Sequence, residues 1–463
     1  MELIQFGIIA TLFLSLLFGL MGGKYVKGKV ENFFVAGRNM AIPLVGIALF
    51  AQAVDGNATM GQTSLAYDFG FWAGAAYPIG LAISLFLLGK FFAPKLHEMH
   101  LLTLADFFKR KFNRKIEFTV SILMLLSFSL LLAGNLAAIG ILLHSFFGIT
   151  YQSAVIIIAF IILAYCIAGG IIADIISDIF QTSLFLIGLF LVSIFISIKF
   201  GITDVLFTPE FISGASLKQL FIPGDGAYIN WATIIALGFG NILAIDFASR
   251  IFSAKSPKAA QKGCYLGGFL TLIFGLPFAF LPFFIQKAGV ELTGDMPILI
   301  TFLLNVVPAG ISVFLIGGLI AISISTIDGG LLSMGNILAK NILKADEDAD
   351  GIKTEESSFL YFARLAILPV AAFGVIAAIL LPSPGVLLTV AFDIMFASLL
   401  VPFVAAFFID KVSEKAAFAA ILTGGISRFI FAALTPTSFG VENTYFYIPN
   451  NFIPETFDGL GTF

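Results

Sequence analysis

About twelve stretches of roughly 20 predominantly apolar residues run through this chain of 463 residues, separated by short polar turns. A helix of that length is what crossing about 30 Å of hydrocarbon requires. The stretches fall at roughly 4-22, 41-66, 71-89, 117-145, 151-169, 171-198, 229-248, 263-285, 311-338, 359-381, 385-408 and 415-434. Hydrophobic residues make up 59% of the chain and charged ones 11%, so the expected fold class is an all-α membrane protein whose partner is the lipid bilayer. No stretch remains for a separate soluble domain, which leaves catalysis on a cytosolic substrate and nucleic-acid recognition without a home. No Gly-x-Ser-x-Gly, Walker or His-Glu-x-x-His element occurs, and the chain is not expected to be an enzyme. Cys166 and Cys264 lie in or beside apolar spans and read as small packing residues.

Charge orients the spans. Of the 25 Lys and Arg, all but Lys199, Lys218, Lys287 and Arg428 fall on or beside every other loop, beginning with the Lys24 to Lys29 segment after the first span. Basic residues favour the cytoplasmic side. A multi-pass protein of the plasma (inner) membrane with both termini outside is the expected topology.

The ten spans between 41 and 408 divide into two sets of five. An odd number of crossings per set makes the second run opposite to the first, the arithmetic of an inverted repeat whose site lies where the first helix of each set is broken. The expected boundaries are 1-40, an extra helix and linker; 41-200, the first repeat; 201-228, an outer loop; 229-408, the second repeat; and 409-463, a last helix and outer tail. Unwound backbone in a membrane needs Gly and polar side chains to satisfy it. Ala51-Gln52-Ala53-Val54-Asp55-Gly56-Asn57-Ala58-Thr59 supplies both, and Gly238-Phe239-Gly240-Asn241 stands at the matching place in the second set.

Four motifs in chain order then carry a resemblance. Glu31-Asn32-Phe33-Phe34-Val35-Ala36-Gly37-Arg38, Gly169-Gly170 followed by Ser177-Asp178-Ile179-Phe180-Gln181, Ser249-Arg250 with the basic segment after it, and Ser325-Thr326-Ile327-Asp328 together resemble the sodium:solute symporter family. The resemblance implies uptake of a small solute driven by Na⁺, by alternating access on a five-plus-five inverted-repeat (LeuT-like) core.

Sodium prefers oxygen ligands, and Ile322, Ser325 and Thr326 at i, i+3 and i+4 put one carbonyl and two hydroxyls on one helix face. Facing the break at Ala53 and Gly56, they make a plausible five-oxygen cage, and the resemblance maps the family's main sodium site to the same five residues. Asp55 lies near it. Asp178 and Asp328 are carboxylates that membrane interior makes costly, by about 2.5–3.5 kcal/mol each on insertion scales, unless a cation, a proton or a partner compensates. Some family members hold a second sodium with an Asp matching Asp178 and hydroxyls at 325 and 328. Here 328 is Asp and 329 is Gly, a departure from that pattern.

Asn57, Gln62, Asn135, Asn241 and Asp393 are the polar residues at depth that a solute would meet, or that join helices to each other. Asp246 and Arg250, at i and i+4, are expected to pair. The rival readings are a proton-coupled or uncoupled transporter of the same fold and a transporter-like sensor or channel. The spans that build the cage contain no Lys to replace the ion, which favours sodium.

Overall fold

The computed structural model describes residues 2–25, 28–290, 296–345, 355–438, 441–443, 447–454 and 457–459. The acidic stretch around 346-354 and parts of the tail thus lie outside the described residues. Among the described residues, nine helices are long and apolar enough to cross a membrane, and ten if Ala227–Leu243 and Ile245–Ser253, which meet at 47°, form one span. Ile42–Ala53 and Tyr151–Ile167 are shorter apolar helices.

The span expected at 41-66 and the pair expected at 151-169 and 171-198 differ most from simple rods. The first is two helices, Ile42–Ala53 and Gly56–Phe69, joined by Val54 at φ −114°, ψ 90°. Asp55 restarts the helix as its N-cap, accepting the Ala58 N–H at 2.6 Å. The pair follow each other end to end over Tyr151–Phe200, with non-helical Gly170 at φ 54° and ψ −155° kinking the chain at the expected boundary. A Cβ at Gly170 would fall 2.5 Å from the Phe33 ring, so both the backbone angle and the close approach require glycine there.

In the second half the break sits slightly later than the sequence suggested. The glycines expected to form it lie in a wide turn, Ala236–Gly240, and Ala244, at ψ 119°, makes the actual interruption before Ile245–Ser253. Gly240 serves packing instead, since a Cβ there would meet the Phe392 carbonyl at 2.1 Å.

The helix Ala309–Ile337 is buried continuously from Leu315 to Ile337 and forms the centre of the bundle. Glu2–Gly22 lies at the edge. Its Ile4, Ile8, Thr11, Ser15 and Gly19 face inward at helical spacing, while Phe6 is 70% and Phe13 61% exposed. An open apolar stripe of this kind suits a helix whose one side faces acyl chains.

Candidate functional site

The two broken helices meet at the basic end of the bundle. Met40, just before the first, donates its N–H to the Ser253 carbonyl at 2.9 Å, and its own carbonyl accepts from Lys255 at 2.9 Å, just after the second. Arg38 holds the same junction, donating to the Phe252 carbonyl at 3.1 Å and the Leu101 carbonyl at 2.9 Å.

Beside it the short helix Ala105–Lys111 is locked by Asp106, which takes the Lys340 ammonium at 2.6 Å and the Asn341 amide at 2.9 Å. Asn341 also donates to Glu117 at 2.7 Å. Burial alone would raise the Asp106 carboxyl above its ordinary 3.8; the Lys340 charge and the N–H donors from Asn341 and Thr103 outweigh it and hold the carboxyl lower.

At the opposite end a cavity of about 420 Å³ is lined by Met60, Gly61, Tyr67, Asp68, Met296 and Gly385, among others. Its floor is a backbone contact, for a Cβ on Gly61 would stand 2.7 Å from the Cα of Gly385. Asn57 accepts the Gly385 N–H, and Tyr77 donates to the Gly385 carbonyl at 3.0 Å. Two hydrogen bonds and one close backbone contact at Gly385 thus separate the cavity from the break below.

Between the two ends, the break faces the central helix. The Thr326 hydroxyl lies 3.4 Å from the Ala51 carbonyl and 3.3 Å from that of Ile322. Gln52 donates to the Ser325 carbonyl at 2.9 Å. A Cβ on Gly56 would fall 2.1 Å from the Ser323 hydroxyl and 2.9 Å from the Leu319 carbonyl, so glycine brings the two backbones together. Asp55 is 1% exposed and accepts from Asn135 at 2.6 Å. Among the described residues, Ser323 Oγ, Gln52 Oε1 and Asn135 Oδ1 are buried without a hydrogen-bond partner. Unpaired buried oxygens cost free energy, and oxygen is the donor type that sodium takes.

One turn along the central helix the charges gather. Ser325 donates its hydroxyl to Asp178 at 2.5 Å, and Tyr165 donates to Asp328 at 2.6 Å. Asp174, Asp178 and Asp328 each bring an oxygen within 4.8 Å of the others. Arg250, fully buried, reaches Asp174 at 2.6 Å and Asp178 at 3.5 Å. The expected Asp246–Arg250 pair is therefore corrected: Asp246 accepts the neighbouring Phe247 N–H at 2.7 Å instead. The guanidinium turns to the carboxylates of the long bent helix, which offer two partners where Asp246 offers one.

Of the other polar residues singled out at depth, Gln62 donates to the Gly275 carbonyl at 3.1 Å and Asn241 to its own helix at 2.9 Å. Asp393 pairs with Arg428 of the last helix, away from the break. Sequence reasoning missed Gln52, Asp174 and Tyr165. Asp174 was legible in principle, one turn before Asp178 on the same helix face. Tyr165 carried no signal, because the bend at Gly170 stands between it and the acidic turn.

The profile of the sodium:solute symporter family matches residues 33–424. The sodium/proline symporter 2 of Staphylococcus saprophyticus is 25% identical over 384 residues, 79% of this chain and 74% of that protein. A sodium/glucose cotransporter of Vibrio parahaemolyticus is 28% identical over 137 residues, 29% of this chain and only 24% of that protein. Among solved structures, a Na⁺-coupled sialic acid symporter in a substrate-bound outward-open state is similar with a TM-score of 0.78 at 20% identity, covering 92% of this chain and 91% of that one.

Proposed function

This chain belongs to the sodium:solute symporter family, a family of multi-pass membrane transporters and not of enzymes, and from that premise we propose that it imports a small organic solute with sodium by alternating access. The sodium, as cargo, binds between the carbonyls of Ala53, Gly56 and Ile322 and the hydroxyls of Ser325 and Thr326, with the Asp55 carboxylate close by. The observation that carries this reading is the meeting of an interrupted helix with a hydroxyl-bearing face amid buried oxygens that have no partner. A continuous helix there would have offered no free carbonyls.

The solute binds just beyond the break, toward the 420 Å³ cavity. Asn57 and Asn135 are its best contacts, because Asn57 Nδ2 and Asn135 Oδ1 lack partners, whereas Gln62, Asn241 and Asp393 are committed elsewhere. The repeats run over 41-200 and 229-408, and both termini lie outside the plasma membrane. In that orientation the cavity opens outward and the Arg38 and Asp106 contacts close the inner side.

A thermal-shift screen of the purified chain against amino acids, carboxylates, sugars, urea and nucleobases tests the proposal, since ligands that bind the native state raise its apparent stability. At least one class is expected to stabilise in Na⁺ and not in K⁺ or choline. Equal stabilisation in all three would contradict sodium coupling.

A further inference from the structure

Asp178 stands at the junction of the sodium cage and the acidic turn, and its two oxygens face different partners. Oδ1 accepts the Ser325 hydroxyl proton at 2.5 Å. Oδ2 faces the Arg250 guanidinium at 3.5 Å. A serine hydroxyl carries one proton and two lone pairs. With its proton fixed on Asp178 and one lone pair accepting the Gln52 amide at 3.3 Å, Ser325 keeps one lone pair for a cation.

The residues around Asp178 leave little room for a metal ion of its own. Arg250 is 0% exposed and bridges Asp174 and Asp178. A Cβ on Gly329 would lie 2.5 and 2.7 Å from the guanidinium nitrogens and 2.8 Å from Gln52 Oε1. Position 329, a hydroxyl residue in the pattern that the resemblance associates with a second sodium, is thus a glycine whose side-chain space the guanidinium fills. Asp328 is occupied as well, accepting from Tyr165 at 2.6 Å and from the Gly329 N–H at 2.8 Å. These residues do not fit a second sodium.

We propose that Asp178 is a positioning residue for the main cage, acting through Ser325, and that Arg250 is the built-in cation of the acidic cluster, so that the chain binds one sodium. Resting on the cage reading, the inference nevertheless fails separately from it. Asp178 also adds its negative charge one hydrogen bond behind a ligand, and Arg250 keeps that carboxylate from turning into the cage.

The test titrates sodium-induced stabilisation of the purified full chain, read as Tm, in wild type, Ser325→Ala, Asp178→Asn and the double variant. Sodium bound at equilibrium by wild type is counted with the radioactive ion. Expected are one ion per chain, a Hill slope of about 1 in every protein, and a half-saturating concentration raised about tenfold by either single variant but no further by both, the non-additivity of residues acting as one unit. A purely structural Asp178 would lower Tm without moving half-saturation, which overturns the proposal. So do two ions per chain, or effects that multiply in the double variant. If Ser325→Ala leaves half-saturation unchanged, the cage itself falls; if only Asp178→Asn leaves it unchanged, the cage stands and the positioning role falls. Should Asp178→Asn not fold, Asp178→Glu takes its place and the ion count on wild type decides independently.

Discussion

Ser325 and Asp178 lie 147 positions apart in the chain, yet the hydroxyl of one donates to the carboxylate of the other at 2.5 Å. That bond joins the central helix to the long bent helix at the level where the first broken helix is interrupted. In the proposed cycle this bond would carry the coupling between ion and protein shape, because moving any of the three elements alters the oxygens that surround the break.

Replacing both hydroxyls, in Ser325→Ala with Thr326→Ala, removes two of the five oxygens proposed for sodium. Half-maximal uptake is expected to need at least tenfold more sodium, equivalent to about 1.4 kcal/mol or more. Uptake measured against sodium concentration checks it. Full activity of the double variant at low sodium would refute the cage.

Gly61→Ala puts a methyl group 2.7 Å from the Gly385 Cα, where backbone and not a flexible side chain must yield. Overpacking of this kind costs about 1–3 kcal/mol, and it falls on the floor of the cavity. Transport is expected to drop severely while sodium-induced stabilisation persists. Unchanged uptake would show that the floor does not close during the cycle.

Asp393→Ala is expected to destabilise by about 3–5 kcal/mol, because Arg428 loses a carboxylate partner in the bundle. Replacing both with Leu should recover most of that loss, since a buried ion pair exchanged for apolar packing is often neutral. Thermal denaturation in detergent measures both. Loss of solute affinity in the stable Leu–Leu variant would return Asp393 to the solute site.

Asp106 supplies the pH dependence. Its carboxyl is held below the ordinary 3.8 in the folded chain, so its contribution is complete above that value and is lost as pH falls through the lower, folded one. Asp106→Asn should therefore lower Tm at neutral pH, with the gap from wild type closing below about pH 4. A gap that stays constant to acid pH would show that the Lys340 pair does not stabilise the inner end.

Much of this was legible in the sequence because membranes impose few choices. Span length, the position of Lys and Arg, and the Asp55-Gly56 pair inside an apolar run each follow from the cost of bare polar groups in lipid. The break near Val54 could be read because its residues make a poor lipid-facing helix. The second break was read three to six residues early, since Gly240 is there for close packing against Phe392 and a glycine does not say which use it serves. The Arg250 partnership was misread because i to i+4 spacing on one helix reveals only local neighbours. Asp174 reaches Arg250 from a segment 76 residues away, and no local pattern carries that distance.

Equilibrium binding of radioactive sodium to the purified chain, wild type beside Ser325→Ala/Thr326→Ala, tests the central claim most directly. Saturable binding in wild type that is lost or weakened at least tenfold in the variant is the expected result. Undiminished binding by a folded variant would mean that the ion, if carried at all, is held somewhere other than between the broken helix and the central one.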